Sequence, residues 1–211
     1  MDFFDQLLHA QVTLILLAVT TAVSIFAFNN PRLRDALMLD VGAIKQRGEV
    51  WRMATAGFVH GDPAHLFFNM LTLLFFGPPL EIGVGRVDYA ILYFGSLLGG
   101  SALSVLENWR KRDYRALGAS GAIAGLTVCF SVFAPMAMIG LFFVLPVPAI
   151  VYSIGFIAFS WYASTRFGDS GIGHTGHLGG ALAGLAITCI LFPAIVRALP
   201  ETLARGFPPL F

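Results

Sequence analysis

Six apolar segments separated by polar punctuation decide what this chain can become. Residues 12–28, 64–81, 87–106, 118–133, 136–162 and 176–196 each carry at most one Asp, Glu, Lys or Arg. A helix needs about 20 apolar residues to cross the hydrocarbon core of a bilayer. With 57% hydrophobic and 12% charged residues and a mean hydropathy of +0.78, the chain lies outside the soluble range. It reads as an all-α polytopic membrane protein of six transmembrane helices, a single domain over residues 1–211 with its core at about 50–196. The bilayer is its first partner. A net charge of +1 supplies no basic field for nucleic acid.

The punctuation sets finer expectations. Asn29-Asn30-Pro31 stops the first helix, and Asp62-Pro63 is an N-cap and N1 pair for the second. The long loop between them has Leu33, Ala36, Leu37 and Leu39 partly at helical spacing, which predicts a short helix in the interface plane. Trp51 beside Arg52 suits the headgroup level. Pro146 and Pro148 are expected to kink the fifth helix. The first apolar run follows Asp2 and Asp5, not a basic leader, and reads as a retained helix. Cys129 and Cys189 fall inside apolar segments and act as small hydrophobes. The tail at 199–211 carries no signal.

The fourth segment differs from the rest because it is too short to span. It opens on Gly118-Ala119-Ser120-Gly121-Ala122-Ile123-Ala124-Gly125, so Ser120 falls at a helix N-terminus below the membrane surface, with the other helices around it. Free N–H groups and the helix dipole there favour a developing negative charge. Small residues at Gly121 and Gly125 equally suit close packing of two membrane helices.

Polar side chains at membrane depth are few and costly, which makes each a functional candidate. His65 and Asn69, four apart, share one face of the second helix. On the sixth, His177 lies one turn from Gly180 and Gly184. Packing those glycines on Gly121 and Gly125 would bring His177 to Ser120, and imidazole is the usual base for a serine hydroxyl. No Asp or Glu in either segment completes a triad, so a Ser/His dyad is the economical reading. His60, His174 and Thr175 are expected at the mouth of a water-filled cavity. Phe68, Phe156, Phe159 and Trp161 are candidates for a lateral gate.

Trp51-Arg52, His65-x-x-x-Asn69, Glu81, Gly118-x-Ser120-Gly121 and His177-x-x-Gly180-x-x-x-Gly184, in this order, strongly resemble the rhomboid intramembrane serine proteases over about residues 50–190. The resemblance implies Ser120 as nucleophile and His177 as general base. It implies an oxyanion hole of His65, Asn69 and the Ser120 backbone N–H, with Gly118 allowing the tight approach before the serine. The implied activity is hydrolysis of peptide bonds in or near transmembrane segments of protein substrates, with no metal or organic cofactor, in the prokaryotic six-span form. Many members carry a tyrosine four residues after the serine; this chain has Ala124, and Tyr152, Phe156 or Phe159 could supply a ring instead.

Two further classes fit parts of the pattern: an inactive relative that binds transmembrane clients, and a transporter for a metal or small solute using the histidines. Location in a bacterial inner membrane, with the site open to the extracytoplasmic side, follows the resemblance. The charge pattern points the other way. With six spans, Arg86, Arg197 and Arg205 share the side of the termini, and the other ten basic residues lie opposite, on the side of the site.

Overall fold

The structure, a computed structural model, describes residues 3–141, 144–166 and 173–205. A short helix α1 (Phe3–His9) precedes α2 (Gln11–Phe28), which stops at Asn29 and Asn30. Asn30 accepts from the Leu33 N–H and opens α3 (Pro31–Leu37). Strand β1 (Leu39–Asp40) follows, then α4 (Val41–Arg47), capped by Asp40 through the Ala43 N–H. The one-turn helix α5 (Arg52–Thr55) leads to a 3-10 turn at Ala56–Phe58. The long loop is therefore folded. Arg52 is buried at its centre, bonding the Glu49 carboxylate at 2.6 Å and the carbonyls of Asp35 and Met38 at 2.7 and 3.0 Å.

Asp62 accepts from the His65 N–H and Pro63 takes the first position of α6 (Pro63–Val84). A tight turn at Gly85 reverses the chain into α7 (Arg86–Glu107), and β2 (Arg115–Ala116) pairs antiparallel with β1, closing the loop layer over one end of the bundle. Helix α8 (Ser120–Phe133) has 14 residues, about 21 Å at 1.5 Å each, too short to cross. It touches α6, α7, α9, α10 and α11, and all but three of its residues are buried.

Beyond α8 the chain departs from expectation. The described residues among 136–148 do not begin a fifth helix. They form a hairpin of β3 (Met138–Leu141) and β4 (Leu145–Pro148), so Pro146 and Pro148 lie in a strand and kink nothing. Helix α9 (Ala149–Arg166) starts only after Pro148. The sixth segment also divides. Helix α10 (His174–Leu191) ends at Phe192, and Pro193 opens a separate α11 (Pro193–Ala204), which takes in part of the tail read as signal-free.

Among the described residues, α2, α6, α7 and α10 are long and apolar enough to cross a membrane. Two features lock them. Buried Glu81 in α6 accepts from the Val12 and Thr13 N–H groups at 2.9 and 2.8 Å and from the Thr13 hydroxyl at 2.8 Å, capping α2, whose own N-cap residue is Ala10. Glycines make the second lock. A Cβ on Gly180 would lie 2.8 Å from the Gly121 Cα, and one on Gly184 would lie 2.7 Å from the Gly125 carbonyl. Gly100 of α7 meets the Gly176 backbone of α10 in the same way, and Gly99 packs on the Ala183 methyl. Backbones thus touch where side chains would hold them apart.

Candidate active site

The glycine seam fixes two side chains from distant parts of the chain. Ser120 is the first residue of α8 and His177 sits in the first turn of α10; their Oγ and Nε2 atoms are 2.7 Å apart. With Nε2 unprotonated, the hydroxyl donates to the ring. Ala119, the N-cap, contributes no side-chain cap, so the first amides of α8 are not shielded by one.

Gly118 carries φ +114°, and a Cβ there would lie 2.7 Å from the His65 ring. Only glycine meets both demands. Its N–H donates to the Ala56 carbonyl at 2.9 Å, tying the turn to the loop layer. Asn69 is buried and uses one amide hydrogen on the His65 carbonyl at 2.8 Å, which leaves a second N–H. His65, Asn69, Ser120 and His177 line one cavity of about 550 Å³, with Gly118 and Gly121. Asp62, Ser101, Ser104 and Arg115 add polar groups to its lining.

A second cavity of about 170 Å³ runs from Ser120 and His177 between α6, α8 and α9, past Phe68, Thr72, Ala124 and Phe156. Phe156 lies beside the His177 ring, with centroids 5.9 Å apart, and stacks on Tyr152 on its other side. The ring next to this imidazole thus comes from α9, while Ala124 leaves it room. Phe68 is half exposed at this cavity. Phe159 forms a T-shaped pair with His174, and Trp161 is exposed; neither lines this cavity.

His60 is where the sequence reading fails. It does not stand at a solvated mouth; it is fully buried behind the serine turn. Its Nε2 accepts the Ala119 N–H at 3.3 Å, its Nδ1 meets the Ser24 hydroxyl at 2.9 Å, and that hydroxyl donates to the Phe58 carbonyl at 3.0 Å. These partners require the Nδ1–H tautomer, so one proton order runs from Ala119 to Phe58. Burial pushes the His60 pKa down to about 3, with nearby His65 adding to the shift and Asp62 opposing it. His174 and Thr175 are also buried, and the Thr175 hydroxyl donates to the Glu107 carboxylate. That bond ties α10 to the end of α7.

The Rhomboid domain family model matches residues 47–194, well over half of the chain. The chain belongs to the rhomboid family. Membership puts this rhomboid among the intramembrane proteases and their rhomboid-like relatives. It is 42% identical over 88 residues to RHOMBOID-like protein 4 of Arabidopsis thaliana, covering 42% of this chain and 22% of that protein. It is 34% identical over 139 residues to Rhomboid protein 1, mitochondrial, of Saccharomyces cerevisiae, covering 62% and 38%. It is 39% identical over 80 residues to Putative rhomboid protease YdcA of Bacillus subtilis, covering 37% and 39%. The rhomboid matched here thus spans well under half the length of each of these relatives.

Proposed function

We propose that this rhomboid is a serine endopeptidase that cuts peptide bonds in or near transmembrane segments of other membrane proteins. The observation that carries the reading is the 2.7 Å contact between Ser120 Oγ and His177 Nε2 at the floor of a polar cavity. Hydrolysis needs a nucleophile, a base, an anion site and water, and the cavity has residues for the first three and room for the fourth.

Ser120 Oγ attacks the scissile carbonyl while His177 Nε2 takes the hydroxyl proton. The carbonyl oxygen, now an anion, is held by the Ser120 N–H, His65 and the free N–H of Asn69. The imidazolium then gives its proton to the departing amine, and the peptide bond breaks to leave an acyl-enzyme. Water reaching the site through the polar cavity loses a proton to His177 and attacks the ester, which releases the acid and restores Ser120. Among the described residues no carboxylate is bonded to the imidazole; Phe156 and the glycine seam flank it.

The substrate helix approaches from the lipid between α6 and α9, along the cavity past Phe68 and Phe156, and must unwind locally, because helical backbone is hydrogen-bonded within itself. We read the chain as one membrane domain of six membrane helices, in which α9 and the short, surrounded α8 join the four longer ones. The site then opens toward the extracytoplasmic face of a bacterial plasma membrane.

The test is activity-based labelling in proteoliposomes with a fluorophosphonate, alongside cleavage of a transmembrane substrate with small, helix-breaking residues. Wild-type protein should label and cut, and Ser120→Ala and His177→Ala should do neither. Labelling that survives in Ser120→Ala would refute the assignment. A wild type that binds transmembrane helices but never labels would identify an inactive client-binding relative.

A further inference from the structure

The hairpin β3–β4 lies at the end of the bundle away from the site, since α8 begins at Ser120 and runs out at Phe133 just before it. Loops at that end meet water elsewhere: the α6–α7 turn carries Arg86 and Asp88, and α11 carries Arg197 and Glu201. The hairpin carries nothing comparable. Residues 116–165 contain no Asp, Glu, Lys, Arg or His, so helix, hairpin and following helix form one uncharged stretch. Val144 is 84% exposed, Leu145 57% and Met138 45%. Apolar side chains this exposed, on a segment continuous with two membrane helices, are solvated poorly by water and well by lipid.

The backbone of the hairpin makes the same point. The register pairs Ile139 with Val147 and Leu141 with Leu145, and the Ala149 N–H donates to the Ala137 carbonyl in the same ladder. These alternate pairs are the hydrogen-bonded ones. Pro146 and Pro148 therefore occupy the outward positions of β4, where an ordinary residue would aim an N–H away from the sheet. Proline has none. The β4 edge thus exposes no backbone donor, which removes half the cost of setting a strand edge against lipid. On the β3 edge the outward amides belong to Met138 and Gly140, and these still need acceptors. Ester and headgroup oxygens provide acceptors at the boundary of the acyl region but not at the bilayer centre.

We propose that the β3–β4 hairpin is a lipid-embedded foot. It lies at the acyl-headgroup boundary of the leaflet opposite the Ser120 mouth, Val144 and Leu145 directed into lipid and the β3 edge toward the headgroups. Bonds from the Ala149 and Ile150 N–H groups to the Ala137 and Pro135 carbonyls clamp it to α9, so it anchors α8 and α9 in the leaflet that α8 is too short to reach securely from the mouth side. This inference rests on the chain being a membrane protein and is independent of the catalytic reading.

The experiment uses full-length protein in phosphatidylcholine vesicles, with Cys189→Ala removing the exposed thiol and Val144→Cys carrying an environment-sensitive fluorophore. Arg112→Cys in the charged mouth-side loop serves as the water-exposed reference. At 144 the emission should be blue-shifted and quenched at least about threefold more by a lipid spin label near the headgroup than by one at the chain terminus, with little quenching by iodide. Emission and iodide quenching equal to those at 112 would overturn the proposal, because water then bathes the hairpin. Blue-shifted emission insensitive to every lipid-borne quencher would also overturn it, because protein then covers the hairpin. Leu145→Cys gives an independent second position.

Discussion

The imidazole of His60 accepts the N–H of Ala119, the residue immediately before Ser120, and does so from a fully buried position. The serine turn is thus fixed from behind by a ring that lines neither cavity. His60→Gln removes that acceptor geometry and leaves buried polar groups to re-pair, at a cost of about 1–3 kcal/mol. A displacement of about 1 Å at a catalytic group can cost 10²-fold in rate. Cleavage kinetics should therefore show a kcat loss of about 10- to 100-fold with KM little changed.

The same histidine sets a pH response. Its folded pKa is depressed from 6.5 to about 3, so below pH 6.5 the unfolded chain binds a proton that the native state refuses. The stability held by neutral His60 is complete above pH 6.5 and drains away as the pH falls toward 3. Thermal unfolding in micelles should show this loss in wild type and a flatter profile in His60→Gln. Glu49 adds a separate, more acidic window. Hydrogen bonds from Arg47 and Arg52 lower its pKa from 4.5 to about 2, so its contribution is lost only as the pH falls from 4.5 toward 2. Glu49→Gln should remove that second limb alone.

Gly118→Ala should be severe. A side chain at φ +114° is strained by about 1–3 kcal/mol, and its methyl would meet the His65 ring at 2.7 Å. Loss of labelling together with a lower Tm is the expected pair of results, with Gly61→Ala as a control, since a methyl at 61 meets only Leu117 at 3.6 Å.

Gly180→Val tests the seam. The added carbons must push α10 off the Gly121 backbone and draw His177 Nε2 away from Ser120 Oγ. Overpacking of this kind costs about 1–3 kcal/mol, but activity should fall by more than about 10³-fold, because the base is no longer within reach. The measurement is paired: Tm for the fold and fluorophosphonate labelling for the dyad.

Glu81→Ala removes the acceptor for two backbone N–H groups and one hydroxyl at the start of α2. About 1–3 kcal/mol of stability should be lost, and hydrogen exchange at Val12 and Thr13 should speed up before exchange in α8 does.

Much of this arrangement was legible in the chain because the relevant signals are local. Asp62-Pro63 specifies a cap and a first turn by side-chain chemistry alone, and α6 starts there. The shortness of the fourth apolar run marks α8 without any knowledge of its neighbours. The failures are places where tertiary context decides. Residues 136–148 are apolar throughout, and an unbroken apolar run looks the same whether it becomes buried helix or exposed strand. The decisive mark was the spacing of Pro146 and Pro148, two apart, which suits alternate positions of a strand edge better than a kink. His60 was misread because burial of a polar ring depends on partners 36 and 59 residues away in Ser24 and Ala119. Pro193 could have ended the last long helix on sequence alone, since proline opens helices more readily than it continues them.

Where Gly180 meets Gly121 and Gly184 meets Gly125, the seam between α8 and α10 is bare backbone, and that limits where the molecule can flex. Helices that meet on bare backbone have no rotamers to exchange and no cushion to compress, so Ser120 and His177 travel as a single body. Any yielding needed to admit a guest falls to α6 and α9, whose contacts with α8 are made through side chains such as Phe76 and Phe156. Residues along those two walls can therefore change over evolutionary time while the Ser120–His177 pair between them stays in register.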